Sequence, residues 1–244
     1  MRPLILAKYH FASLWNWRTS YLGRFIEPVA YLLFLASALG SHLQEVAGGY
    51  GRFVLTGLVC LLSFRSATSS MSDVSNDRKW GVFAIYCMTG GGVLGYLVSV
   101  VLFAAAVFLG QLVLLVSCGL LVFGEAASSI DHVLRTAGIG LLLVAGWTGI
   151  GAAVGASVQS YSTRDLLVTV TALPVILAAP LFYPIDDSSG FVRHIAAVNP
   201  LTYQVDWLRD SSASAITYSV LWAAGSLLLA FFMLRGAERV SAER

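Results

Sequence analysis

Only two lysines occur in the 244 residues, Lys8 and Lys79. Lys8 follows Ala7 and Lys79 follows Arg78, so neither stands in the Gly-Lys-Ser/Thr setting of a phosphate-binding loop. A process that uses ATP through this chain must hydrolyse it on a separate subunit. Charge is also scarce, at 11% of residues, against about 25% in a soluble domain. A net charge of +2 gives no electrostatic footprint for nucleic acid. Cysteine is limited to Cys60, Cys87 and Cys118, without metal-ligand spacing. Cys60 and Cys118 lie in apolar runs and read as small buried hydrophobes. His10, His42, His132 and His194 are scattered, and no pair has i, i+4 spacing. No Gly-x-Ser-x-Gly elbow occurs. Neither a metal site nor a catalytic residue is expected. Ser157 with a distant histidine sketches an intramembrane hydrolase, but serine is common in packed membrane helices. The first twenty residues lack a continuous apolar run, so no cleavable signal peptide is expected.

Apolar sequence is abundant, at 57% hydrophobic residues and a mean hydropathy of +0.78. A core of this size cannot hide that surface, so a bilayer is the natural solvent. The expected fold is an all-α membrane protein with six transmembrane helices, at residues 24–40, 53–71, 93–123, 137–158, 166–182 and 215–234. About 20 apolar residues cross about 30 Å of hydrocarbon, so the third span should tilt or project. With the N-terminus inside, ten basic residues fall on the inner side: Arg2, Lys8, Arg18, Arg24, Arg78, Lys79, Arg164, Arg235, Arg239 and Arg244. Four fall outside, namely Arg52, Arg135, Arg193 and Arg209. That bias puts both termini in the cytoplasm of a multi-pass cell-membrane protein.

Three non-spanning parts stand out. Residues 1–20 place Leu4, Phe11, Leu14 and Trp15 at helical spacing among basic residues, the pattern of an interfacial helix on the lipid surface. In the inner loop, residues 72–92, two readings stay open: a short helix that Asp73 caps, with Trp80, Phe83 and Cys87 on one face suited to a groove on a cytoplasmic partner, or a solvated loop with an interfacial tryptophan. Residues 183–214 are too apolar for a free loop and read as two short helices broken at Asn199-Pro200, partly sunk in the outer leaflet. Pro28 is read as tolerated in an early turn of the first span, whereas Pro174 and Pro180 should kink or end the fifth.

Glu27 and Arg65 are the two ionisable residues inside spans, at comparable depth in the inner leaflet. Such groups pair or face a cavity. Two readings stay open, an ion pair between them or a polar entrance for an amphiphilic substrate. The six glycines between Gly138 and Gly155, including the Gly151–Gly155 GxxxG pair, read as close helix packing.

Several segments together resemble a known family. They are Ala179-Pro180-Leu181-Phe182-Tyr183-Pro184, Val198-Asn199-Pro200-Leu201-Thr202-Tyr203, Leu208-Arg209, Arg24-x-x-Glu27-Pro28 and Asp77-Arg78-Lys79-Trp80-Gly81. The chain resembles the permease subunit of ABC-2 type exporters, including NodJ-like and daunorubicin-exporter-like permeases. The resemblance covers the whole chain, 1–244, as a single transmembrane domain. One departure is the compact outer segment at about 41–52, which leaves little room for an extracellular domain. The resemblance implies two permeases, identical or related, with two nucleotide-binding ATPase subunits that carry ATP and Mg, and no cofactor on this chain. It implies that 1–20 is the interfacial connecting helix and 73–88 the coupling helix, with Asp73, Asp77, Arg78, Trp80 and Phe83 as ATPase-coupling residues. Residues 183–214 match outer re-entrant helices, with Pro180, Phe182, Tyr183, Pro184, Asn199, Pro200 and Tyr203 at their core. Glu27, Tyr31 and Arg65 are expected along the path of an amphiphile (a drug, lipid or glycolipid) moved outward. The alternative function is a non-transporting membrane scaffold.

Overall fold

The computed structural model describes residues 2–16, 18–39, 50–123, 130–158, 160–183, 189–210 and 212–242. Ten helices and no strand occur among them: α1 (Arg2–Asn16), α2 (Arg18–Leu39), α3 (Tyr50–Lys79), α4 (Val82–Met88), α5 (Gly92–Phe123), α6 (Ile130–Ser157), α7 (Tyr161–Ala178), α8 (Gly190–Val198), α9 (Pro200–Asp210) and α10 (Ala213–Ala242). Five of these, α3, α5, α6, α7 and α10, are long and apolar enough to cross a membrane. The first expected span falls on α2; its last residue, Gly40, and most of the segment at 41–52 lie outside the described residues.

α3 and α6 form the most extensive helix pair, and α10 packs on the far side of α6. Small residues set this closeness. A Cβ on Gly151 would fall 2.1 Å from the Ala67 carbonyl oxygen, and one on Gly155 2.6 Å from that of Met71. The GxxxG pair is therefore a backbone contact, as its spacing suggests. Beside it, the Ser66 and Ser70 hydroxyls donate to the Val144 and Thr148 carbonyls of α6, at 3.3 and 3.1 Å. Such interhelical bonds average about 0.6 kcal/mol in membranes. On α10, Ala215, Ser219, Ala223, Ser226, Ala230 and Leu234 make one buried stripe at helical spacing. The main core gathers Leu58, Leu61 and Leu62 of α3 with Leu112 and Leu115 of α5, Leu143 and Trp147 of α6, and Leu201, Val205 and Leu208 of α9.

Two boundaries correct the sequence reading. No helix begins at Asp73, because α3 continues to Lys79. Its polar last turns are covered by α6, where Gly155 meets Met71 and Val74, and by α5, where Tyr96 meets Asp77, with His10 of α1 beside the same carboxylate. The stop is Gly81, whose φ of 78° lies in the left-handed region. α4 then begins at Val82 and holds only seven residues. Pro28 is interior to α2, which starts at Arg18 rather than at residue 24. Pro174 is also interior to α7, which runs to Ala178. Ala179 turns extended ahead of Pro180, as the residue before a proline prefers.

Candidate functional site

Between α2, α3, α5 and α7 lies a cavity of about 500 Å³ with two unlike walls. One is polar, from Arg24, Arg65, Thr68, Ser69, Ser72 and Asp73. The other is mostly apolar, from Phe103, Val107 and Phe108 of α5 and Val168, Ala172 and Ile176 of α7, with Gln111, Asp165 and Thr169 as its polar members. The size falls within the usual range of about 300–1,000 Å³ for small-molecule sites. Arg65 reaches Glu27 with both terminal nitrogens, forming a bidentate pair across α2 and α3. Glu27 stands behind the cavity wall, and Tyr31 does not line it either; the Tyr31 ring stacks on Phe182, with centroids 6.0 Å apart. Of the three residues expected on the path, only Arg65 lines this cavity.

The Lys79 end of the bundle differs from expectation. Asp73 and Asp77 face inward on α3. Tyr96 of α5 donates its hydroxyl to Asp77 Oδ2 at 2.7 Å, and His10 Nε2 of α1 lies 3.5 Å from the same oxygen. Asp73 interacts electrostatically with Arg24 and His10. Burial holds the His10 imidazole below its usual pKa of 6.5, opposed by the charge of Asp73. Phe83 is only 2% exposed and meets the Tyr96 ring edge-on at 4.9 Å. Trp80, at 65% exposed, is the outward-facing member of the expected set. The expected shared face of Trp80, Phe83 and Cys87 is therefore absent: Trp80 sits in the turn before α4, and Phe83 points into the core. Arg78 donates to the Ala156 carbonyl at the end of α6, and Lys79 Nζ stands 3.6 Å from the Tyr161 ring centroid. The turn is thus braced on α6 and α7.

At the opposite end, α8 and α9 are the two short helices expected around Asn199-Pro200. Asn199 is extended before Pro200, and its Oδ1 accepts from Leu201 N at 3.0 Å, capping α9. The same side chain donates Nδ2 to Val175 O at 2.7 Å, one of the carbonyls that the end of α7 leaves free. The Tyr183 hydroxyl takes the Leu177 carbonyl, and Arg209 Nη2 takes that of Pro180 at 2.8 Å. Two side chains from beyond α7 therefore satisfy carbonyls of its last turn, and Arg209 satisfies one in the segment that follows it. Tyr203 instead donates to Ala197 O at 2.6 Å, joining α9 to α8. Pro184 lies outside the described residues. Sequence reasoning missed His10, Tyr96, Gln111 and the Trp147–Gln204 bond of 2.7 Å, because each joins helices distant in sequence. A tyrosine or glutamine inside an apolar run was the available signal.

A family model described as "ABC-2 type transporter" matches residues 4–212. The chain belongs to the ABC-2 type transporter family. This ABC-2 permease is similar to a putative transport permease ycf38 of Porphyra purpurea, 24% identical over 95% of this chain and 84% of the relative. It is also similar to Nodulation protein J of Neorhizobium galegae, 22% identical over 86% of this chain and 80% of that protein. The family and the five long apolar helices make it a multi-pass membrane protein. The matched range takes in the cavity, the braced turn around Trp80 and the whole of α8 and α9.

Proposed function

We propose that this ABC-2 permease is the membrane half of an exporter that moves an amphiphilic drug, lipid or glycolipid outward, using ATP hydrolysed on separate subunits. α2 supplies the sixth crossing, the single domain spans 1–244, and both termini are cytoplasmic. α1 lies on the inner leaflet, with Leu4, Tyr9, Phe11 and Trp15 exposed on it beside Lys8. Two copies, or one copy with a related permease, assemble with two ATPase subunits that carry ATP and Mg. α8 and α9 dip into the outer leaflet as a re-entrant segment. Its irregular backbone is tolerable at that depth because Asn199 and Arg209 occupy the free carbonyls.

The family match over 4–212 carries the transport reading, and the amphipathic cavity supports the substrate class. Trp80 is the contact with the ATPase. Asp77, Arg78 and Phe83 serve coupling from behind, by fixing the turn to α1, α5 and α6. Nucleotide can switch the permease only through a difference in affinity between its two conformations. A rigid turn transmits that difference to α3, whose side chains line the cavity.

Purification with candidate ATPase subunits tests this reading. Stable association and substrate-stimulated ATP hydrolysis, lost in Trp80→Ala, are expected. Absence of any ATPase partner in membranes or detergent would favour the scaffold.

A further inference from the structure

Pro28 sits inside α2 without ending it. Its nitrogen carries no proton, so it cannot make the helical bond to the carbonyl four residues back, that of Arg24. Gln111 of α5 supplies a bond there instead, its Nε2 donating to Arg24 O at 3.0 Å. A proline inside a membrane helix is tolerated where a neighbouring helix supplies the missing partner. Here the substitute is a side chain on the cavity wall, which Arg24 also lines. A main-chain bond opens only with its helix, whereas this one opens when a single amide turns away. The same amide has another N–H and a carbonyl with which to bond water or a ligand.

The two sides of Pro28 are fastened differently. On the Arg18 side, Arg24 Nη1 bonds Ser69 Oγ of α3 at 2.5 Å. Phe25 packs over Gly110 of α5, where a Cβ would stand 3.4 Å from the ring. On the Leu39 side, Leu32 is fully buried in the main core, and the Tyr31 ring stacks on Phe182. One part of α2 is thus set in apolar core, and the other is held mainly by polar bonds that can be exchanged. α1 ends at Asn16 and α2 begins at Arg18, so a shift of α1 is passed directly to the exchangeable part.

We propose that Gln111 is the positioning residue of a hinge in α2: bonded to the Arg24 carbonyl, it holds the Arg18 end of α2 against α5, and on its release that end swings about Pro28 and opens the cavity. The hinge is a property of this chain alone. Its use in moving a substrate rests on the transport reading above.

Four full-length chains in lipid nanodiscs test it: the parent, Gln111→Met, Pro28→Ala and the two substitutions together. Methionine keeps the length of glutamine and removes its donor, and alanine at 28 restores the main-chain N–H. Hydrogen exchange over residues 18–27 reads the hinge. The alkylation rate of a thiol introduced by Ser72→Cys on the cavity wall reads the opening, resolved by mass spectrometry from Cys60, Cys87 and Cys118. Gln111→Met is expected to raise both rates about two- to tenfold, the worth of one hydrogen bond. In the Pro28→Ala chain, the same substitution should change either rate by less than about twofold, because the helix then makes its own bond. Gln111→Leu and Pro28→Leu stand in for a variant that does not fold, judged by its melting temperature. An equal effect of Gln111→Met with and without the proline, no effect in the parent, or exchange that rises equally along α6 overturns the proposal. No ATPase is present, so failure here and failure of the association test above are separate results.

Discussion

Arg65 and Glu27 meet side by side, two nitrogens to two oxygens, and tie α2 to α3 at the edge of the cavity. Each is about one-third exposed within the chain, at 32% and 39%. Broken exposed pairs cost about 0–1 kcal/mol and broken buried pairs about 3–5 kcal/mol. A loss of about 2 kcal/mol is expected for Glu27→Gln or Arg65→Gln. The double exchange, Glu27→Arg with Arg65→Glu, should recover at least half of it. Thermal unfolding in detergent measures this, and a double exchange no better than the singles would remove the pair from the account.

The glycine contacts give a sharper contrast. Gly57 admits no Cβ, since one would sit 2.0 Å from the Leu181 carbonyl oxygen; Gly151 is as tight against Ala67. Neither obstacle is the end of a flexible side chain, so backbone must move. Gly57→Ala and Gly151→Ala are expected to destabilise by about 1–3 kcal/mol. Gly138→Ala, with open space at its Cβ, should be neutral or stabilising by up to about 1 kcal/mol. Equal melting temperatures for all three variants would contradict the close approach.

How much of this could be read in advance depended on sequence distance. The Glu27–Arg65 pair was legible because two charges at similar membrane depth have few ways to be satisfied. The break at Asn199 was legible because Asn-Pro is both a helix stop and a helix start. The interior fate of Asp73, Asp77 and Phe83 was not. A polar stretch after an apolar run looks like a loop until α1, α5 and α6 are known to cover it. His10 and Tyr96, which make that covering polar, carry no local signature. Trp80 survives as an outward-facing residue because the left-handed Gly81 turns the chain there.

Arg209 is expected to hold α8 and α9 to the rest of the fold. Its guanidinium bonds Pro180 O and lies 3.7 Å from the centroid of the Phe53 ring on α3. Arg209→Ala removes a charged hydrogen bond and a cation–π contact, together worth about 2–4 kcal/mol. Hydrogen exchange at α8 and α9 should accelerate in this variant while α6 stays protected. Exchange that rises uniformly along the chain would show a general loss of folding instead.

His10 makes the docking of α1 pH-sensitive. Its pKa in the folded chain lies below 6.5 because burial disfavours the charged form. Between those two values the undocked state binds more protons, so docking weakens as pH falls. The charge of Asp73 raises the His10 pKa, and burial lowers it by more. Amide exchange in α1, corrected for the intrinsic rate, is therefore expected to run faster relative to His10→Phe, which keeps a ring beside Phe103, at pH 5.5 than at pH 8. A ratio to that variant that is larger at the higher pH would reverse the assignment.

The most direct test of the coupling scheme places a photo-crosslinking amino acid at position 80 in intact membranes. Crosslinking to an ATPase subunit on the cytoplasmic side, strengthened or weakened by nucleotide, is the result expected if the Trp80 turn transmits the power stroke. Labelling of position 80 by a membrane-impermeant reagent from outside the cell, with no ATPase adduct, would contradict both the orientation and the coupling.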